Sequence, residues 1–173
     1  MSESGVEPQA PPLGRYEPDD DGSVHEVRLI NVPLLILAAT REHHDEVMRE
    51  FAMLALDENL SSGHVPARML ELIDVLGRRY AAAAARPDAE VDAALERGEK
   101  TIDLVYHVPA HVTHAAEQLH ELMNEADEFC RQQQMLTLAR PPVQAEFGQW
   151  YLDEFRRQIN GEPPRPWDGP LEP

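Results

Sequence analysis

The stretch from Thr101 to Cys130, TIDLVYHVPAHVTHAAEQLHELMNEADEFC, constrains the fold more than any other part of the chain. Ile102, Leu104, Tyr106 and Val108 alternate with Asp103, Val105 and His107, a period of two rich in β-branched and aromatic residues that predicts a strand. Pro109 closes it, because proline donates no ladder hydrogen bond and suits the first turn of a helix. From Val112 the apolar residues Ala115, Ala116, Leu119, Leu122, Met123, Ala126, Phe129 and Cys130 recur every three or four positions. That spacing lays one apolar stripe along a helix. The chain therefore contains a strand, a tight turn and an amphipathic helix in series, without a catalytic signature among them.

Around this unit, residues 1–24 combine Pro8, Pro11, Pro12 and Pro18 with Glu17, Asp19, Asp20 and Asp21 and are expected to form a disordered acidic tail. Val24 to Ala39 favours extended structure interrupted by Pro33, as one bent strand or two short ones, with a helix starting near Leu34 as the competing reading. Thr40 is placed to cap the next helix, whose stripe is His44, Val47, Met48, Phe51, Leu54 and Ala55. Asn59 to Pro66 reads as a loop, and Pro66 opens a helix with Met69, Leu72, Ile73, Leu76, Tyr80 and Ala83 inward. Pro87 is expected to end that helix and Asp88 to cap a short one that Gly98 terminates.

After Cys130, MLTLAR predicts a further strand. Pro141 and Pro142 open a last helix with Val143, Phe147, Trp150, Tyr151, Phe155 and Ile159 on its apolar face. Residues 161–173 hold five prolines and predict an extended tail. The expected architecture is α+β, a single domain over 25–160, with a small three- or four-stranded sheet covered by four to five helices.

Composition narrows function by exclusion. With 32 acidic against 15 basic residues and a net charge of −17, the chain repels phosphate backbones and anionic lipid, which argues against nucleic-acid and membrane-surface partners. The N-terminus lacks a signal-peptide pattern and no apolar run reaches membrane-spanning length, so a cytoplasmic location is expected. One cysteine, Cys130, leaves no intrachain disulfide and no cysteine-rich zinc site. No Gly-x-Ser-x-Gly elbow or glycine-rich phosphate cradle occurs, and the Ser61, Ser62 and His64 proximity has no orienting acid. No catalytic residues and no cofactor are assigned.

Histidines and tryptophans are the remaining candidates. His111, His114 and Glu117 form the alternative metal set, but on the helical wheel they lie away from the apolar stripe. Glu117 and His120 make one Glu-x-x-His pair, whereas a di-iron bundle needs a second copy. His43 and His44 project about 100° apart on a helix, and His44 follows the stripe. His43, His44, Trp150 and Trp167 are the candidates for partner binding, with Trp167 expected either to fold back over the core or to dock on a partner.

In HHDEVMREFAMLAL, TIDLVYHVP, NEADEFC and WYLDEFRRQINGEPPRPW the chain resembles small acidic actinobacterial proteins found beside anti-sigma and STAS-type partner-switching regulators. The likeness spans His25 to Trp167. It implies a regulatory setting and a protein partner, an anti-sigma or STAS regulator, rather than a reaction. The Asp-x-Gly-x-Gly box of the anti-sigma kinases is absent, so ATP binding is not carried over. Pro109 and Ala110 occupy the kind of turn where a STAS protein carries its phosphorylatable serine.

Overall fold

The computed structural model describes residues 23–54, 65–132 and 136–173. The expected acidic tail up to residue 22, the loop at 59–64 with Ser61, Ser62 and His64, and the start of the MLTLAR stretch lie outside the described residues. The order is β1 (Val24–Pro33), α1 (Leu34–Leu54), α2 (Val65–Glu96), β2 (Thr101–Pro109), α3 (Val112–Arg131) and α4 (Pro142–Ile159). The class is α+β. Among the described residues the sheet is a two-stranded antiparallel ribbon rather than one of three or four strands.

β1 and β2 pair from Val24 opposite Pro109 to Pro33 opposite Thr101. Val27, Leu29, Leu104, Tyr106 and Val108 point into the core, while Glu26, Arg28, Asp103 and His107 face out. This is the alternation of a half-buried strand. Between Leu29 and Val32 one extra residue enters β1, where Asn31 adopts φ 62°, a left-handed conformation that asparagine tolerates. The bulge keeps Val32 inward. Asn31 N–H donates to the Asp103 carboxylate at 2.8 Å.

Pro33 does not interrupt a strand; it ends β1, and α1 begins at the next residue. The competing reading, a helix from Leu34, is the one observed. Leu34 N–H, which a helix's first turn leaves without a helical acceptor, donates to Lys100 C=O at 3.0 Å. Thr40 therefore lies inside α1, and its hydroxyl donates to Ile36 C=O instead of capping.

Pro87 likewise does not end a helix. α2 runs through it for 32 residues, about 48 Å, with the Pro87 ring buried. Proline inside a helix forfeits one backbone hydrogen bond. Here Val91 and Ala94, both buried beyond it, hold the last turns against the sheet. Asp88 pairs with Arg41 at 2.6 Å rather than acting as a cap. Gly98 does terminate the helix: at φ 69° it donates to Leu95 C=O while Glu99 donates to Ala94 C=O, a Schellman close.

Two apolar clusters result. The sheet-side cluster joins Val27, Leu29, Leu104 and Tyr106 to the start of α1, the end of α2, and Phe147, Trp150, Phe155 and Trp167. The helical cluster joins Val47 and Phe51 of α1, Met69 and Leu72 of α2, and Leu122 and Ala126 of α3.

The C-terminal segment folds back over the first cluster. Trp150 Nε1 donates to Arg165 C=O at 3.1 Å, and Trp167 N–H donates to Ile30 C=O at 3.0 Å. Asn31 Nδ2 returns a bond to Trp167 C=O at 2.7 Å. Midway along β1, the Gln158 side-chain amide takes both backbone groups of Arg28, accepting from N–H at 2.9 Å and donating to C=O at 2.7 Å. The outer edge of β1 is thereby covered, which removes a template for strand addition.

Candidate functional site

α1 and α3 converge on a buried ion pair. Asp127 of α3 accepts from Arg140 Nη2 at 2.7 Å and Nε at 2.8 Å, and from Arg140 backbone N–H at 3.1 Å. The two side chains are 8% and 4% exposed. Arg140 Nη2 also reaches Asn124 Oδ1 at 3.4 Å. His43 and His44 of α1 line the same small cleft, with Met123 and Cys130. Burial holds both imidazoles below their ordinary value. For His43, Asp127 opposes that fall and Arg140 reinforces it; for His44, Asp45 opposes it while His43 and Arg140 reinforce it. Burial, with Asp127 and Glu50, raises the Cys130 thiol, so it is a poor nucleophile.

A second carboxylate braces the segment before Arg140. Glu50 of α1 accepts from Leu136 N–H at 2.6 Å, Thr137 N–H at 2.9 Å and the Thr137 hydroxyl at 2.7 Å. Partial burial pushes this carboxyl up, but the three hydrogen bonds outweigh it and hold the group below its ordinary value. Leu136–Arg140 is thus tied at one end to α1 and at the other to α3. Thr137 turns inward, and Leu136 and Leu138 stand out at 93% and 81% exposure. In place of a sheet, Glu50 takes the N–H groups of Leu136 and Thr137 and Asp127 takes that of Arg140.

The other predicted residues fall elsewhere. Trp150 and Trp167 are buried against Phe147 and each other, with ring centroids 5.5 Å apart between the two indoles. Of the two places expected for Trp167 it takes the first, folded back over the core, and Trp150 is buried beside it. His111 packs on Tyr80 at 5.8 Å, whereas His114 and Glu117 are exposed. Among the described residues no three His, Cys, Asp or Glu side chains gather at metal-binding spacing.

Two polar features inside the apolar faces escaped the sequence reading. Glu154 is 0% exposed and bonds Arg157 Nη1 at 2.7 Å, Gln158 Nε2 at 3.0 Å and Arg165 N–H at 2.9 Å. Its signal was a carboxylate seven residues after Phe147, on the same helical face, followed by Arg157 and Gln158 one turn on. The second is the hydroxyl pair Tyr106 and Tyr151, 2.5 Å apart across β2 and α4. Burial raises the pKa of both phenols, that of Tyr151 well above the ordinary value. Neither arrangement supplies a nucleophile with a base.

No family model, curated protein or solved structure matches the chain. Among the described residues no helix is long and apolar enough to cross a membrane.

Proposed function

We propose that this chain is a non-enzymatic, cytoplasmic regulatory protein that works by contact with another protein. The observation that carries the reading is the braced Leu136–Leu138 segment, where two leucines are held in water by a backbone that Glu50 and Asp127 fix. Large apolar side chains on a fixed backbone lose little entropy on docking, so burying them yields affinity efficiently. The net charge of −17 supports a partner whose contact face is basic around an apolar pocket. The sequence resemblance supports a sigma-factor partner-switching setting, with an anti-sigma or STAS regulator as that partner.

The test is association of the purified chain with co-expressed anti-sigma and STAS regulators, beside a pull-down from the native cell. A specific complex is expected that weakens with salt and loses at least about tenfold in affinity, roughly 1.4 kcal/mol, in Leu136→Asp/Leu138→Asp. The unfolding midpoint of that variant should match wild type, because neither leucine is buried. A complex indifferent to the double substitution sinks this surface. Absence of any specific protein partner sinks the reading itself.

A further inference from the structure

The β1–β2 ribbon has one guarded edge and one bare edge. Gln158 and the Trp167 segment cover the edge of β1. Along the outer edge of β2 the backbone has no hydrogen-bond partner among the described residues. That strand carries no proline before Pro109 and no bulge, since the extra residue enters β1. Backbone groups without a protein partner are held by water, so the edge is open, and an open edge is a template for another strand.

Register decides which strand fits. Arg28 lies opposite Val105, and both Arg28 backbone groups turn away from β2 to Gln158. In an antiparallel ladder the two residues of such a pair turn away from each other, so Val105 N–H and C=O point out of the free edge of β2. Those of Asp103 and His107, two residues to either side, do the same. A second copy related by a two-fold axis through Val105 sets Val105 against Val105 and Asp103 against the second copy's His107. Each of these pairs exchanges backbone hydrogen bonds in both directions. On the exposed face a carboxylate meets an imidazole on each side of the axis; on the core face Leu104 meets Tyr106 and Ile102 meets Val108. Other registers that keep the core face inward are worse. An axis at Leu104 or Tyr106 sets Asp103 or His107 against apolar Val105, and an axis at Asp103 or His107 sets that residue against itself.

We propose that the free edge of β2 docks a second copy of this chain, giving one continuous antiparallel sheet in the order β1-β2-β2-β1 about a two-fold axis at Val105. Strand pairing alone is a small interface, and a net charge of −17 on each copy opposes it, so the dimer is weak and strengthens with salt. The edge contains no residue of the Leu136–Leu138 surface, so each stands or falls alone.

Sedimentation equilibrium of the full chain, up to about 1 mM, reads the association. A reversible dimer is expected that tightens as salt rises from about 20 mM to about 300 mM, the opposite of the response expected for the regulator complex. Val105→Cys should oxidise to a covalent dimer, because Cα atoms in such a pair lie about 5.5 Å apart, within disulfide range; the wild-type chain should not, its one cysteine being buried. Val105→Pro removes the N–H on the axis without touching a bond to β1, and should leave a folded monomer by circular dichroism. If that variant does not fold, mixing decides. His107→Asp and Asp103→Lys should each self-associate at least about tenfold more weakly than wild type, and an equimolar mixture should recover the loss. Only the mixed dimer sets the introduced lysine against the introduced aspartate while keeping Asp103 against His107. A wild-type chain that stays monomeric overturns the proposal, as does a folded Val105→Pro that still dimerises or a mixture no tighter than its components.

Discussion

Removing Arg140 strands the Asp127 carboxylate in a place where its side chain is 8% exposed. Breaking a buried pair from one side costs about 3–5 kcal/mol, whereas replacing both partners by apolar groups of similar volume is far milder. Arg140→Ala should therefore destabilise by about that amount in denaturant unfolding, and Asp127→Leu/Arg140→Met by much less. Similar losses for the two would mean that packing, not charge, holds the segment. The neighbouring imidazoles give a pH signature. Burial lowers both His43 and His44 from 6.5, so the folded chain binds their protons less readily than the unfolded chain does. Stability is at its full value above about pH 6.5 and falls as pH drops through it. His43→Gln/His44→Gln should flatten the unfolding midpoint between about pH 7 and pH 5, above the range where most carboxylates titrate. An unchanged slope removes the histidines as its cause. The sequence did place His44 on an apolar stripe, but nothing local to EHHDE points to Asp127 or Arg140, which lie more than eighty residues away.

At the level of elements, local chemistry was readable wherever it decided the outcome. The alternation of Thr101–Val108 and the stripe from Val112 to Cys130 specify β2 and α3, and Gly98 ends α2 as its position requires. Reading failed where distant contacts overrode a local breaker. Pro87 lies mid-helix because the α2 end packs on the sheet, and MLTLAR finds carboxylates where a strand partner was expected. The proline-rich C-terminus, expected to be an extended tail, forms neither helix nor strand but serves as a strap. Trp167 fills the sheet-side cluster, its Nε1 donates to Pro170 C=O, and its indole leans so closely on Gly169 that a Cβ there would lie 2.3 Å from the ring. Deleting Gly161–Pro173 exposes that cluster and the outer edge of the β1 bulge. Burial of a large aromatic contributes about 2–3 kcal/mol. At about 2–4 °C per kcal/mol, the midpoint should fall by on the order of 4–12 °C. A midpoint that stays put would show the strap to be dispensable.

At the scale of the whole molecule, the two apolar clusters raise the question of whether the chain unfolds once or twice. The sequence reading broke both long helices, α1 before Thr40 and α2 at Pro87, so it could not show that each runs on to serve both clusters. α1 gives Leu34, Ile36 and Leu37 to the sheet-side cluster and Val47 and Phe51 to the other; α2 gives Val91 and Ala94 to the first and Met69 and Leu72 to the second. Loss of either cluster frees half of two helices whose remaining turns lean on the other, and short isolated helices are marginal in water. One cooperative transition is the expected consequence. The probes are built in: both tryptophans, Trp150 and Trp167, belong to the sheet-side cluster, so indole fluorescence reports on that end alone. Phe51 is fully buried in the helical cluster, and Phe51→Ala should cost about 3–5 kcal/mol. If the clusters are coupled, this substitution lowers the fluorescence midpoint as far as it lowers the far-ultraviolet circular-dichroism midpoint, although no tryptophan belongs to the cluster it damages. Divergence of the two curves, with fluorescence left at its wild-type position, would mean that α1 and α2 melt in halves and that the clusters are separate folding units.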